Sequence, residues 1–292
     1  MPTITEQFPP LPLDGLIAEI AAFSTYTLDE KRAFIRRLVQ VHPALNLDMN
    51  LTGRYFRRAR KLEESDPLPN NVDEVIWRKD VPARLGRANT EGFSVLYLAI
   101  HTDTAFSETL AGTPDRQGRM VIADFAIQPG ASIRVLPIGA LHIVQRTGKG
   151  FFGESQKALN DMVNACDRTA AKSLLIADAF LFECLAKEDD YSVSSCVAMS
   201  IFNKLPSISA IAYPSKRQRF AINFAVRTDS FWDGWGLHAV RCGQAKHLAQ
   251  GYFSFTPDNH VVGITAAGNF QWQEDLPTEG MRLPLEPLWT PS

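Results

Sequence analysis

The sequence predicts an α+β protein, in which short strands and packed helices occupy separate stretches of the chain. Apolar, strand-like runs lie at 93–100, 120–127 and 132–138, helical patterns fill 154–205, and strand-like runs return from 209 onward. Strands followed by helices and then by strands favour α+β over the strict alternation of a parallel α/β sheet.

Composition narrows the class of protein. Of 292 residues, 45% are apolar and 21% charged, which is typical of a globular chain and excludes dominant disorder. The formal net charge of −2 disfavours a dedicated nucleic-acid binder, so no direct nucleic-acid binding is expected. No apolar run is long enough to span a membrane, and no secretory signal is visible.

Cysteine and histidine spacing bears on metals and compartment. The four cysteines show no C-x-x-C pair, and the six histidines show no metal-binding spacing. The sequence therefore predicts no metal site and favours a reducing, cytoplasmic environment.

The N-terminal stretch predicts two helices. Residues 1–12 are rich in proline and are expected to be irregular. A helix is expected after Asp14 as N-cap. Thr27 and Glu30 form a T-x-x-E capping box for the second helix, which should end at His42, before Pro43.

The middle of the chain carries a basic segment at 54–61, then polar loops at 63–71 and 86–92. A short helix is expected over 101–112, closed by Gly112.

Three further helices and two strands should follow this short helix. The helices are expected at 154–166, 171–187 and 194–205, and the strands at 209–215 and 219–226.

The last part of the chain predicts short strands, including 252–255 and 261–265, joined by a turn at TPDNH. The whole pattern gives three regions. They are a helical N-terminal extension at 1–51, a core at 52–230, and a C-terminal strand-containing extension at 231–292 packed on the core.

Residues with functional character lie in three segments, of which the third is the basic segment with Arg57, Arg58 and Arg60. The first contains Gly86-Arg87-Ala88-Asn89, then Tyr97 in an apolar strand and Glu108 in the short helix. The second contains Tyr213-Pro214-Ser215, with Asn223 in the next strand.

These stretches resemble the RES-domain family, which is named for an arginine, a glutamate and a serine. The family pattern runs G-R-x-N, then L-Y-x-A, then T-A-x-x-E. Arg87 precedes Tyr97 by ten residues, and Glu108 follows it by eleven, as the family spacing requires. Ser215 and Asn223 fit the serine segment. Arg58 is the equivalent of an early family arginine, with the neighbouring Arg57 as the alternative.

The resemblance implies a fold similar to ADP-ribosyltransferases and a toxin that consumes NAD. It further implies a cognate antitoxin, typically with a helix-turn-helix part. NAD would be a substrate, so no cofactor is expected; a homo-oligomer is left open.

The chemistry of NAD cleavage suits these residue types. Breaking the nicotinamide–ribose bond develops oxocarbenium character, which the Glu108 carboxylate could stabilise. Arg87 and Arg58 could hold the pyrophosphate, because a guanidinium binds it bidentately. Tyr97 could pack on the nicotinamide end, and Ser215 could orient the substrate. Asn89 and Asn223 are expected to contact the substrate as well.

Other interpretations remain open from the sequence. Glu108 alone would suit a solvated helix face, and Tyr97 would suit a core position. An ADP-ribosyltransferase acting on a protein or nucleic acid would share the first bond cleavage with an NAD glycohydrolase. A non-catalytic binding protein on the same fold is the third alternative.

Overall fold

The structure is a computed structural model and describes residues 2–50, 53–113, 115–150, 155–186, 191–218, 221–274 and 285–291. The chain divides into two compact units. Unit 1 contains Met1–Leu47, Ala83–Phe93 and Arg134–Tyr213, and unit 2 contains Asp48–Pro82, Ser94–Ile133 and Pro214–Ser292. The sequence-based boundaries at residues 51 and 230 stay predictions.

Helices and strands are both present, and the predicted α+β class is confirmed. The helices in chain order are α1 (Ile4–Gln7), α2 (Leu13–Ala22), α3 (Leu28–Val41), α4 (Thr102–Thr109), α5 (Ala140–Thr147), α6 (Ser155–Asn164), α7 (Arg168–Ala186), α8 (Tyr191–Lys204) and α9 (Phe231–Gly234). The strands are β1 (Leu47–Met49), β2 (Tyr55–Leu62), β3 (Val95–Ala99), β4 (Gln117–Ile127), β5 (Ile133–Pro137), β6 (Ala210–Pro214), β7 (Ile222–Arg227), β8 (Trp235–Ala249), β9 (Tyr252–Ile264) and β10 (Phe270–Glu274). In the described part of the chain, no helix is long and apolar enough to cross a membrane.

The N-terminal helices follow the predicted capping in one case and depart from it in two. The Thr27–Glu30 capping box is confirmed, with the Thr27 backbone N–H 2.7 Å from Glu30 Oε2, and α3 ends at His42. Residues 4–7 form a short helix with its own capping box from Thr3, so the expectation of an irregular start was wrong. Asp14 is not an N-cap but lies in the first turn of α2, where its negative charge interacts favourably with the helix dipole.

Unit 1 is mostly helical. Phe23, Phe34 and Phe180 form a ring cluster in which Phe180 lies 4.9 Å from Phe23 and 5.6 Å from Phe34, between centroids. This cluster joins the N-terminal helices to α7 through buried apolar surface. Strands β5 and β6 pair in parallel, with Val135 opposite Ala210.

Unit 2 holds an antiparallel sheet in the order β7-β3-β2-β4-β8-β9-β10. Helix α4 packs on this sheet through Phe106 and Leu110, which are fully buried against Met120 and Ile122. The packing fixes one side of the helix on the sheet and therefore fixes where its polar side chains can reach.

The basic segment 54–61 largely coincides with strand β2 of this sheet. The sequence did not predict this strand, because its many charged residues obscure the pattern of a strand. The predicted strand at 219–226 is present as β7, although residues 219 and 220 lie outside the described ranges.

The expectation of short C-terminal strands was wrong. Residues 252–264 form one strand, β9, which runs through the predicted turn at TPDNH. Pro257 pairs with Gly243 at a register shift, where a bulge tolerates the missing N–H of proline. A Cβ on Gly243 would lie 2.2 Å from the Thr256 carbonyl oxygen, so only glycine permits this approach.

Candidate functional site

Glu108 is the centre of a hydrogen-bonded cluster in unit 2. The Ser215 hydroxyl donates to Glu108 Oε1 at 2.7 Å, and the Asn223 amide donates to the same oxygen at 2.7 Å. Ser215 and Asn223 are buried, and Glu108 is half-buried. The structure therefore brings together three of the residues that the sequence singled out, across more than 100 residues of chain.

The two oxygens of the Glu108 carboxylate differ. Oε1 accepts both hydrogen bonds, and within the described residues Oε2 accepts none. Helix α4 holds the side chain in place, because its buried face fixes the helix on the sheet. A carboxylate fixed by one oxygen keeps the other available for a hydroxyl or a developing positive charge.

Ser215 is saturated with hydrogen bonds. Its Oγ accepts the backbone N–H groups of Arg217 at 3.1 Å and Gln218 at 3.0 Å, while its hydroxyl donates to Glu108. This turn fixes the hydroxyl, which cannot then serve as an activated nucleophile without a base. Ser215 is therefore suited to orienting Glu108 and a substrate.

Two residues to which the sequence assigned no role, Thr104 and Gln218, stabilise this turn. Thr104, in the first turn of α4, donates to the side-chain oxygen of Gln218. The Gln218 amide donates in turn to the Gly251 carbonyl at 3.4 Å. The T-A-x-x-E pattern contained Thr104, but nothing in the sequence connected it to Gln218.

Tyr97 lies on the same face of the sheet as Asn223. In the β3–β7 register, Tyr97 pairs with Ala225 and Ala99 pairs with Asn223. Paired residues share a face, and so do residues two apart in a strand. The half-buried Tyr97 ring therefore lies two residues along from the Glu108 cluster.

The early arginines lie on opposite faces. Arg57 pairs with Ala99, so it shares the face of Asn223, and strand alternation turns Arg58 to the other face. Strand alternation thus favours the alternative, Arg57, as the early family arginine, although Arg58 lies near enough to Tyr97 to interact with it electrostatically.

Arg58 nonetheless has an unusual environment. Loss of hydration and, to a smaller extent, the nearby positive charge of Arg60 lower the pKa of its guanidinium to about 10, against the opposing effect of Tyr97. In the part of the chain that the structure describes, it has no hydrogen-bonding or ion-pair partner.

Arg87 and Asn89 belong to unit 1, in a tight turn. The Gly86 N–H donates to the Asn89 carbonyl at 3.0 Å, and the buried Asn89 amide donates to the carbonyls of Arg84 and Thr90. Asn89 thus stabilises the turn itself. Arg87 is half-buried and, among described residues, has no ion-pair partner.

The described ranges contain no candidate metal-binding site. There, no group of three or more His, Cys, Asp or Glu side chains could hold a metal ion. The cluster around Glu108 instead combines one carboxylate with neutral hydrogen-bond donors. This set suits a ligand's hydroxyl groups or a positive charge on an organic ligand, and it offers too few oxygen ligands for a metal ion.

The chain belongs to the RES-domain family. The model of that family, described as the RES domain, matches residues 76–235, more than half of the chain. The matched region contains Arg87, Tyr97, Glu108, Ser215 and Asn223, and it begins after Arg57 and Arg58.

A search of the curated proteins finds no match. A solved structure that the chain resembles is the crystal structure of the M. tuberculosis MbcT–MbcA toxin–antitoxin complex, with 12% identity and a TM-score of 0.33. The alignment covers 68% of this chain and 83% of that one.

Proposed function

We propose that this protein is an NAD glycohydrolase that cleaves NAD to nicotinamide and ADP-ribose. The observation that carries the proposal is the Glu108 carboxylate, held through one oxygen by Ser215 and Asn223. Membership of the RES-domain family supports an enzyme, since the family is known mostly for toxins that act on NAD.

The reaction breaks the bond between the nicotinamide nitrogen and the ribose anomeric carbon. The nitrogen keeps the electron pair, a water oxygen bonds to the anomeric carbon, and one proton is released. Positive charge builds on the ribose before water adds, and Glu108 Oε2 is the group suited to stabilise it or to hold a ribose hydroxyl. Ser215 and Asn223 hold the carboxylate in one orientation during that step.

Other residues are proposed to bind the rest of the substrate. The Tyr97 ring, on the face of Asn223, is proposed to pack on the nicotinamide end. Arg87 is proposed to bind pyrophosphate, because the family pattern includes it and its guanidinium has no ion-pair partner among the described residues. Arg57 is proposed for a second pyrophosphate contact because it lies on the face of Asn223. Arg58, the residue that the sequence favoured for this contact, stays the alternative.

The biological role proposed is that of a toxin with a cognate antitoxin. The family resemblance supports it, and the MbcT–MbcA complex is described as a toxin–antitoxin pair. Such a partner would have to prevent NAD consumption in the cell that makes the protein, and we propose the cytoplasm as its place of action.

The rival activity is an ADP-ribosyltransferase, which transfers ADP-ribose to a protein or nucleic acid. The test incubates the pure full-length protein with NAD and follows nicotinamide and ADP-ribose, with and without a cell extract as acceptor. Equal amounts of both products without extract are expected. Nicotinamide release that requires the extract would favour the transferase, and no release in either case would favour a non-catalytic binding protein.

A further inference from the structure

One buried carboxylate in unit 2 lies between two arginines. Asp124 on β4 has Oδ1 3.5 Å from Arg57 Nε on β2, and Oδ2 accepts a 2.9 Å hydrogen bond from Arg241 Nη2 on β8. Arg57 and Arg241 lie outside residues 76–235, the region that the family match covers. The matched region therefore contains Asp124 but neither arginine, and the family pattern does not include Arg241.

The cluster carries more positive than negative charge in a buried place. The Asp124 side chain is 6% exposed, and each of the two arginine side chains is 17% exposed. Arg241 Nε is buried and makes no hydrogen bond among the described residues. A desolvated cation with an unused donor is costly unless an anion is bound.

The sheet register puts this cluster in line with the Glu108 site. Asn223, Ala99, Arg57 and Asp124 are successive partners across β7, β3, β2 and β4, so they share one face. Two strand spacings, about 10 Å, separate Asn223 from Arg57, and Arg241 on β8, opposite Ile122, lies two strands beyond Arg57. In a dinucleotide, one ribose and a methylene separate the anomeric carbon from the diphosphate, a shorter interval, so the long arginine side chains have to reach back toward the Glu108 site.

The arginine side chains are held in defined orientations. The Arg57 guanidinium donates to the carbonyls of Tyr55 and Ile100, and the Arg241 guanidinium lies 6.0 Å from the centroid of the Phe255 ring. Asp124 joins both groups. An arginine fixed by a carboxylate and an aromatic ring loses little side-chain entropy when it binds a ligand.

We propose that Arg241 is a diphosphate-binding residue, held beside Arg57 by Asp124, and that it determines specificity for dinucleotides over nucleosides. The identity of the dinucleotide rests on the proposed function. Arg241 is a binding residue and takes no part in bond cleavage. Its loss should raise KM for NAD and leave kcat nearly unchanged.

The test measures binding of inorganic pyrophosphate by calorimetry to the wild-type chain and to Arg241→Gln. Binding should weaken tenfold or more in Arg241→Gln and less in Arg241→Lys, which keeps the charge. The exposed pair Arg78–Asp80 offers the matched control, and Arg78→Gln should bind as the wild type does. Circular dichroism establishes that each variant is folded, and Arg241→Lys keeps the test valid if the glutamine variant is not.

Wild-type affinity in Arg241→Gln, or no pyrophosphate binding by the wild type, would overturn the inference. Pyrophosphate binding needs no NAD cleavage, so the two proposals fail separately. Arg241-dependent binding without nicotinamide release would refute the glycohydrolase and keep this site. Nicotinamide release with a KM indifferent to Arg241 would keep the enzyme and refute the site.

Discussion

Two carboxylates, one in each unit, differ in how many of their oxygens are hydrogen-bonded among the described residues. Asp178 in unit 1 uses both oxygens, since Oδ1 lies 3.3 Å from His42 Nε2 and Oδ2 accepts the His142 backbone N–H at 2.8 Å. Glu108 in unit 2 uses only Oε1 among the described residues. A carboxylate with both oxygens hydrogen-bonded holds segments of the chain in place, whereas a carboxylate with one oxygen available can also bind a ligand.

The largest effect is expected for Glu108→Gln. The change keeps the size of the side chain and removes the charge that would face the developing oxocarbenium. Nicotinamide release should fall by about 100-fold or more, with the unfolding temperature nearly unchanged. The exposed Glu64→Gln is the matched control and should keep wild-type activity. Full turnover by Glu108→Gln would erase the contrast with Asp178.

Asp178→Ala should show the opposite pattern. It leaves His42 Nε2 and the His142 N–H without their acceptor in a buried place, so the free energy of unfolding should fall by about 2 kcal/mol. The value of kcat should hold. Asp161→Ala, in the exposed pair with Lys157, should cost less than about 0.5 kcal/mol in the same denaturant titration. Lost activity at unchanged stability would mean that Asp178, too, is a reactive carboxylate.

Ser215→Ala tests what holds Glu108. The change removes one donor to Oε1 and leaves the backbone N–H groups of Arg217 and Gln218 without their side-chain acceptor. The value of kcat/KM should therefore drop roughly tenfold. Ser254→Ala, on exposed β9, is the control and should have no effect. A loss as large as that of Glu108→Gln would assign the serine a direct chemical role instead.

The smallest effect should separate the two early arginines. Lysine keeps the charge and loses the planar fork, so Arg57→Lys should raise KM for NAD roughly fivefold, about the value of one hydrogen bond. Arg58→Lys, on the opposite face, should change KM less than twofold. The reverse order would show that Arg58 makes the early contact and that the sheet face is a poor guide to the site.

Local signals in the sequence predicted much of the fold. The Thr27–Glu30 capping box and the short helix predicted within 101–112 depend on neighbours within a few residues, and both are confirmed. The prediction missed the continuous strand β9 because Pro257 and its neighbours favour a turn. Only the distant Gly243 makes room for a bulge at that position.

The candidate site divides in the same way. Fixed spacing identified Glu108, Ser215 and Asn223, but no pattern could state that all three meet at one oxygen. The sequence did not predict Asp124 or Arg241 as site residues, because neither belongs to a recognisable motif in its own strand. Only the register of β2, β4 and β8 brings them together.

The proposed function makes Glu108 the residue through which this protein destroys NAD. Its most direct test is the NAD content of bacteria after induction of the wild-type chain and, separately, of Glu108→Gln. Because glycohydrolysis needs no acceptor and is effectively irreversible, the wild-type chain should drain NAD before growth stops. The Glu108→Gln chain should leave both NAD and growth intact. Growth arrest with a full NAD pool, or arrest that survives the Glu108 change, would contradict the claim.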